Sequence, residues 1–377
     1  MTQKIDILII GAGLSGCTIA ERCANALGLK IMLVDRRNHI AGNCYDAYRD
    51  NGILTHKYGP HYFRTNNPSL IEYLSEFTDW LAGNYIVNSF VDGTLFPFPI
   101  NLNTLEMFFH TKLDSQTAKQ LLEKESENIN GPLNSEDFVL SRIGRKMYEA
   151  FYLNYTLKQW GIHPRELEAS VCGRIPVRFN RDNRYVDHHF QLMPVQGYTA
   201  MMQRMINHPN IHLLLNTDYK ELDLSKIPCV VYSGPIDEYF NYCYGQLPWR
   251  SLRFEYKDFD QEYVQPCVQI NYPNEHEYTR SVEIKHVTGQ KHLCTTMAYE
   301  YPTSQGEPYY PIPAPENRML YEKYKALAII ETRENNVYFT GRLAEYAYLN
   351  MDEVIEKALI VFEEIKLNHE TSHLILK

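Results

Sequence analysis

The stretch Gly11-Ala12-Gly13-Leu14-Ser15-Gly16 restricts what this chain can fold into more than any other. It follows the aliphatic run Ile5-Asp6-Ile7-Leu8-Ile9-Ile10 and precedes an amphipathic run from Leu14 to Leu27. A second aliphatic run, Lys30 to Val34, ends on Asp35. Strand, glycine turn, helix and strand, with an acidic residue about 20 positions after the glycines, make a dinucleotide-binding βαβ unit. Gly11 permits the tight turn, Gly13 lets backbone approach a pyrophosphate, and Gly16 lets helix and strand pack closely. Leu14 and Ser15 open the helix whose N-terminus faces the negative charge. Asp35 is placed to accept from ribose hydroxyls.

Further along, helical patterning covers 66–82 and 104–161, with capping residues at Asp114 and Asn134. Beyond Arg174 the pattern changes to alternation: Ile211–Leu215, Cys229–Tyr232, Ser251–Tyr256 and Val282–His286 read as strands. Asn336 to Gly341 reads as a buried strand running into Arg342, and a helix is expected over 352–367. The expected fold is α/β, a Rossmann-like dinucleotide-binding domain (an FAD-binding one on the resemblance given below) interrupted by a helical lobe and an antiparallel β-sheet domain. Its parts are 1–82 (first part of the dinucleotide-binding domain), 83–175 (mainly helical lobe), 176–335 (mixed β-sheet substrate domain with strands returning to the first) and 336–377 (the C-terminal part of the dinucleotide-binding domain).

Among 377 residues, 37 basic against 46 acidic side chains leave a net charge of −9, which argues against a broad nucleic-acid-binding face. An anionic ligand must then be held by a few local arginines. The eight cysteines form no C-x-x-C pair and no metal-type cluster, so no metal site is expected. With no secretory leader, they read as reduced thiols of a cytoplasmic protein. The Ile5–Ile10 run is too short to span a membrane, and no membrane insertion is expected. The 29 tyrosines exceed what ordinary packing calls for, and beside arginines they can stack a base or reach a phosphate.

The glycine motif alone leaves NAD and FAD open. Arg36-Arg37-Asn38-His39-Ile40-Ala41-Gly42-Asn43 resembles the R-x-x-x-G-G stretch of amine-oxidase-like FAD proteins, which favours FAD. On that resemblance Arg36, Gly42, Asn43, Tyr58, His61, Gly341, Arg342, Met351 and Asp352 are expected at the cofactor. The helix starting near Met351 would direct its positive end to the flavin.

Six further stretches resemble signatures of the UDP-galactopyranose mutase family: His56–Phe63, Tyr155–Gly161, Arg174–Phe179, Tyr278–Arg280, Pro308–Pro311 and Gly341–Tyr346. They occur in matching order over almost the whole chain. The resemblance implies a redox-neutral exchange between UDP-galactopyranose and UDP-galactofuranose, in which N5 of reduced FAD attacks the anomeric carbon as UDP departs. It implies catalytic roles for Arg174 and Arg280 at the diphosphate and for His61 beside the flavin. Uracil is expected against Tyr155 and Trp160, with Phe151 and Tyr152 on the same wall and a hydroxyl from Thr156. Tyr185, Tyr310 and Tyr346 are expected at the diphosphate or sugar, and Asn271 on the sugar side. A homodimer and an external flavin reductant are implied as well. Two rival readings share these features: an amine-oxidase-like oxidoreductase, and a protein that binds flavin and nucleotide sugar without turning them over.

Three departures from the family pattern stand out. Arg64 replaces the second histidine of H-x-F-H-T, and relatives that accept UDP-N-acetylgalactosamine carry arginine there. Arg64 is therefore either a selector for that sugar or a neutral exchange. The contact to the pyrimidine end falls on Asn84 or Tyr85. Ala41 stands where a glycine is usual and is expected to keep φ negative.

Overall fold

The computed structural model describes residues 4–224 and 227–375. Its first layer is a five-stranded parallel sheet in the order Ile211–Leu214, Ile31–Val34, Ile7–Ile10, Val230–Tyr232 and Val337–Phe339. Ile7–Ile10 is wholly buried, Ile7 and Ile9 in the core beneath the helices Leu14–Leu27 and Met351–Ile375 and Leu8 and Ile10 in a smaller cluster with Tyr219 and Tyr239 on the other face, which is why its sequence is continuously aliphatic. The helix Leu14–Leu27 buries its apolar stripe against this sheet and against the long helix Met351–Ile375. The dinucleotide-binding layer thus takes strands from three distant parts of the sequence.

A seven-stranded sheet forms the second layer, in the order Tyr310–Pro311, Trp249–Phe259, Thr295–Thr303, Arg280–Val282, Gln269–Asn271, Val87–Val91 and Thr94–Phe98. Every pairing is antiparallel except that between Gln269–Asn271 and Val87–Val91. A small sheet of Phe63–Thr65, Phe190–Pro194 and Trp80–Ala82 joins the layers. The helices Leu102–Phe109, Ser115–Glu125, Ser135–Met147 and Asn154–Trp160 make the helical lobe, with Asp114 and Asn134 capping as the sequence predicts.

Four sequence readings need correction. The lobe assigned to 83–175 begins with a β-hairpin, whose first strand pairs with Gln269–Asn271 in the large sheet and buries Val87, Ser89 and Val91. The helix expected over 66–82 stops at Ser75, and Trp80–Ala82 pairs with Phe190–Pro194. The alternation at 282–286 breaks after Val282, and Lys285–Thr288 is one helical turn. Its cause is a buried lysine: Lys285 Nζ donates to the carbonyls of Glu262, His292 and Cys294, which an extended strand would not bring together. Ala41 has φ +71, in the left-handed region, where its N–H donates to the Ala12 carbonyl at 2.8 Å.

Candidate active site

A trough runs along the carboxyl ends of the parallel strands. Gly11, Gly13, Leu14, Ser15, Asp35, Arg36, Gly42, Asn43, Gly341, Arg342 and Met351 all line it. Gly11 has φ +105, and a Cβ there would lie 2.1 Å from Ser233 Oγ. Gly16 stands behind the trough, where an added Cβ would be 1.9 Å from the Gly11 carbonyl oxygen. It sets the helix–strand distance and does not face the trough. The Asp35 carboxylate is anchored, accepting from Ala12 N at 2.8 Å and Arg37 N at 2.9 Å. Arg37, which the sequence reading left out, also lines the trough and donates twice to Asn43 Oδ1. Its guanidinium lies 4.5 Å from the centre of the Tyr58 ring. Bare backbone at Gly11 and Gly13, an anchored acid at Asp35 and an open trough reaching Arg342 and Met351 suit an extended dinucleotide. Asp352 does not line the trough, since its carboxylate accepts from Glu353 N at 3.0 Å.

A second cleft opens beside the trough. His61, Arg342 and Met351 line both, so the two meet there. Tyr58, Arg64, Tyr85, Arg174, Tyr185, Arg280 and Tyr310 line the second cleft, so elements far apart in sequence converge on it. Five arginines face it (Arg64, Arg174, Arg178, Arg280 and Arg342) against three acids, Asp187, Glu300 and Glu353. Only Arg280 has a carboxylate partner within 4 Å among the described residues, Glu300 at 3.4 Å. The Arg280 Nε also donates to Tyr155 Oη at 2.6 Å, which fixes its plane. Glu300 is buried, and burial pushes its carboxyl above the usual carboxylate range against the pull of Arg280.

His61 carries its proton on Nδ1, because that nitrogen lies 3.0 Å from the Gly59 carbonyl and a carbonyl only accepts. Its other nitrogen is left with a lone pair. His61 N–H donates to His56 Nδ1 at 3.0 Å, so His56 carries its own proton on Nε2. That nitrogen is buried without a hydrogen-bond partner, 3.9 Å from Asp46 Oδ2. Burial lowers His56 to about 4. Burial, then the neighbouring His56 and Arg342 charges, lowers His61 to about 3. Both rings are neutral near pH 7.

Several predicted residues lie elsewhere. Phe151 and Tyr152 sit in a single i→i+5 helical turn, 148–153, which directs them into the lobe core against Phe96, Phe108 and Phe98. Thr156 is buried beside Cys172. Asn271 is buried and accepts from Gln269 Nε2, while Gln269 itself lines the cleft and accepts from Tyr85 Oη. Tyr85 is thus the cleft-lining member of the Asn84/Tyr85 pair. Trp160 packs edge-on against Tyr310, with ring centres 6.3 Å apart. Tyr346 takes φ +42, donates its hydroxyl to the Pro248 carbonyl and packs on Trp249, and with Trp160, Arg174 and Tyr348 it lines a pocket beside the cleft. Tyr348, two residues on, lines the cleft in its place, with Arg174 4.2 Å and Arg342 5.2 Å from its ring centre. Two tyrosines at that spacing gave no signal as to which would face in. Gln269, Glu300, His188 and Asn350 were missed as well, each lying outside a recognisable motif, and Arg178 was missed although it lies within the Arg174–Phe179 stretch.

Comparison with known proteins agrees with this geometry. A family model described as UDP-galactopyranose mutase matches residues 150–348, and one described as NAD(P)-binding Rossmann-like domain matches residues 9–77. A probable UDP-galactopyranose mutase of Klebsiella pneumoniae is 39% identical over 95% of this chain and 94% of its own length. This chain belongs to the UDP-galactopyranose mutase family. A dTDP-fucopyranose mutase of Escherichia coli is 35% identical, covering 94% of this chain and 96% of its own. The crystal structure of a reduced UDP-galactopyranose mutase superposes with a TM-score of 0.77 at 16% identity, over 96% of this chain and 95% of that one. The chain is accordingly an isomerase of the pyranose–furanose mutase type, and its cofactor is FAD, for which the trough is built.

Proposed function

We propose that the chain interconverts the pyranose and furanose forms of UDP-galactose and of UDP-N-acetylgalactosamine. The observation that carries this reading is the pair Arg174 and Arg342 on the Tyr348 ring, two guanidiniums without a carboxylate partner among the described residues, facing a cleft that joins the dinucleotide trough at His61. Unpaired guanidiniums on an aromatic wall suit a diphosphate.

When bound and reduced, the flavin supplies a nucleophilic nitrogen to the anomeric carbon, with no net redox change. The protein holds the FAD through Gly11, Gly13, Ser15, Asp35, Gly42, Asn43 and Arg342. Arg174, Arg280 and Arg342 stabilise the diphosphate as its bond to the sugar breaks and keep it in place for return. Tyr185, Tyr310 and Tyr348 close the wall around it. Tyr155 orients Arg280 and, with Trp160, offers the stacking surface for uracil. His61, neutral and with a free lone pair, accepts a hydrogen bond from a sugar hydroxyl without bringing positive charge near the reacting carbon. Arg64 reads the sugar substituent.

A homodimer formed through the helical lobe fits the exposure of Leu133 and Met107 there. Among the described residues no helix is long and apolar enough to cross a membrane. Eight unbridged thiols accord with a cytoplasmic setting, where an external reductant maintains the flavin.

The test is to incubate the dithionite-reduced protein with UDP-galactofuranose and, separately, its N-acetylated counterpart, and to separate the products by chromatography. Pyranose product from both supports the reading. Conversion of neither overturns it, and conversion of only the unsubstituted sugar removes the N-acetyl claim. The related dTDP-fucopyranose mutase makes the dTDP sugar a necessary third substrate in that comparison.

A further inference from the structure

One corner of the cleft brings the Arg64 and Asn350 donors together, with the Asp187 and Glu353 carboxylates also lining the cleft. Arg64 lies in the strand Phe63–Thr65, whose flanking residues are buried, so alternation turns its side chain to the cleft. It has no carboxylate within 4 Å among the described residues, and its guanidinium donates from Nη2 to Asn350 Oδ1 at 2.9 Å. Asn350 precedes the helix Met351–Ile375. Its N–H donates to Glu353 Oε2 at 2.7 Å and its carbonyl accepts from Val354 N at 3.0 Å, so its backbone is pinned at the helix start. With Oδ1 taken by Arg64, the amide presents only its Nδ2 hydrogens. His188 lines the same cleft, and its buried Nδ1 has no partner.

The chemistry at position 350 decides what this corner can bind. A carboxylate there would form an ion pair with Arg64 and neutralise it. The amide holds the guanidinium in place yet leaves its charge uncompensated, and it adds a donor of its own. A sugar hydroxyl can donate to the Asp187 and Glu353 carboxylates of the cleft, whereas Arg64 and the Asn350 amide nitrogen offer donors alone. A carbonyl oxygen, which only accepts, matches the corner.

We propose that Asn350 is a specificity-determining residue that works as a pair with Arg64, and that together they select nucleotide sugars bearing an acylamino substituent. The proposal rests on the mutase reading above and extends it, since it predicts that Arg64 alone does not confer the selection.

Asn350→Asp keeps the shape and the helix-capping capacity, so folding is preserved. Rates with UDP-galactose and UDP-N-acetylgalactosamine are compared for the wild type, Asn350→Asp, Arg64→His and the double variant, alongside quenching of tryptophan fluorescence by UDP and by each nucleotide sugar. The expected result is a fall of about tenfold or more in the kcat/KM ratio favouring the acylated sugar in Asn350→Asp. Affinity for UDP itself is unchanged, and the double variant is no worse than either single one, as coupled residues require. A ratio within about twofold of wild type in Asn350→Asp, or fully additive effects in the double variant, overturns the pairing. Failure of the wild type to convert either sugar would sink the mutase reading instead. The fluorescence titrations would still decide the pair, by whether Asn350→Asp weakens the acylated ligand alone.

Discussion

The Arg174 guanidinium lies 4.2 Å from the centre of the Tyr348 ring, and Arg342 approaches the same ring at 5.2 Å. Two like charges share one aromatic ring. Burial alone would raise the Tyr348 phenol, but the surrounding guanidiniums, Arg174 foremost, bring it below its ordinary value. The site is therefore positive before any ligand arrives. Arg174→Ala is expected to lower kcat/KM by a factor of about 100, the usual result of removing one donor from a developing anion. Arg174→Lys keeps the charge but loses the planar contact with Tyr348, and is expected to recover only part of that loss. Steady-state kinetics on both variants checks the order.

Arg280 is fixed from two sides, by Tyr155 Oη at 2.6 Å and by Glu300 at 3.4 Å. Glu300 Oε1 has no hydrogen-bond partner, so that carboxylate orients Arg280 while repelling an incoming diphosphate. Glu300→Gln removes the repulsion and weakens the orientation. UDP, the departing fragment, is expected to bind as tightly as before or more tightly, while kcat falls about tenfold, as expected when a hydrogen bond to a charged group is weakened. Equilibrium titration with UDP beside kcat measurement separates the two effects. Weaker UDP binding would contradict this role.

The parts of the fold and site that were legible in the sequence share one property: their signal is local. Gly11, Gly13 and Asp35 occupy a short stretch whose spacing is dictated by one ligand, and Asp114 and Asn134 cap helices within three residues of themselves. The hairpin Val87–Phe98 was read as part of a helical lobe because its partner strand, Gln269–Asn271, lies far along the chain. Tyr346 and Tyr348 are distinguished by a single left-handed backbone angle, and Phe151 and Tyr152 by one widened helical turn. Ala41 was given a negative φ on intrinsic preference, which the surrounding loop overrides. Glu300 and Asn350 are functional only through Arg280 and Arg64, and a pairing between distant residues leaves no mark on either one.

Gly16 tests whether the trough depends on close packing alone, since it does not line the trough. An added methyl would sit 1.9 Å from the Gly11 carbonyl oxygen, a contact no side-chain rotation relieves. Gly16→Ala must push the helix Leu14–Leu27 away from the strand and distort the turn at Gly11. The variant is expected to lose several degrees of thermal stability and to purify largely without flavin absorbance. Thermal unfolding followed by circular dichroism and the absorbance near 450 nm, the usual flavin band region, read the two consequences separately. A yellow variant of wild-type stability would mean that the layer tolerates the shift.

The paired histidines make stability depend on pH in a defined direction. His56 is lowered to about 4 by burial, and His61 to about 3 by burial and the nearby His56 and Arg342 charges. Both would titrate near 6.5 in an unfolded chain. Below that value the unfolded state takes up protons that the folded state refuses, so the contribution is fully present above about pH 6.5 and is lost as pH falls toward 4. Asp46, raised by burial, works against this over part of the same range, so the total curve does not isolate the effect. His56→Gln does, because glutamine can still accept from His61 N–H but cannot be protonated. Between pH 7 and pH 4 the wild type is expected to lose more unfolding free energy than the variant, with a difference on the order of 3 kcal/mol at its largest. Urea unfolding of both proteins across that range measures it. Parallel curves would mean that the His56 ring is protonated without cost in the folded protein, and that the tautomers assigned to His56 and His61 are wrong.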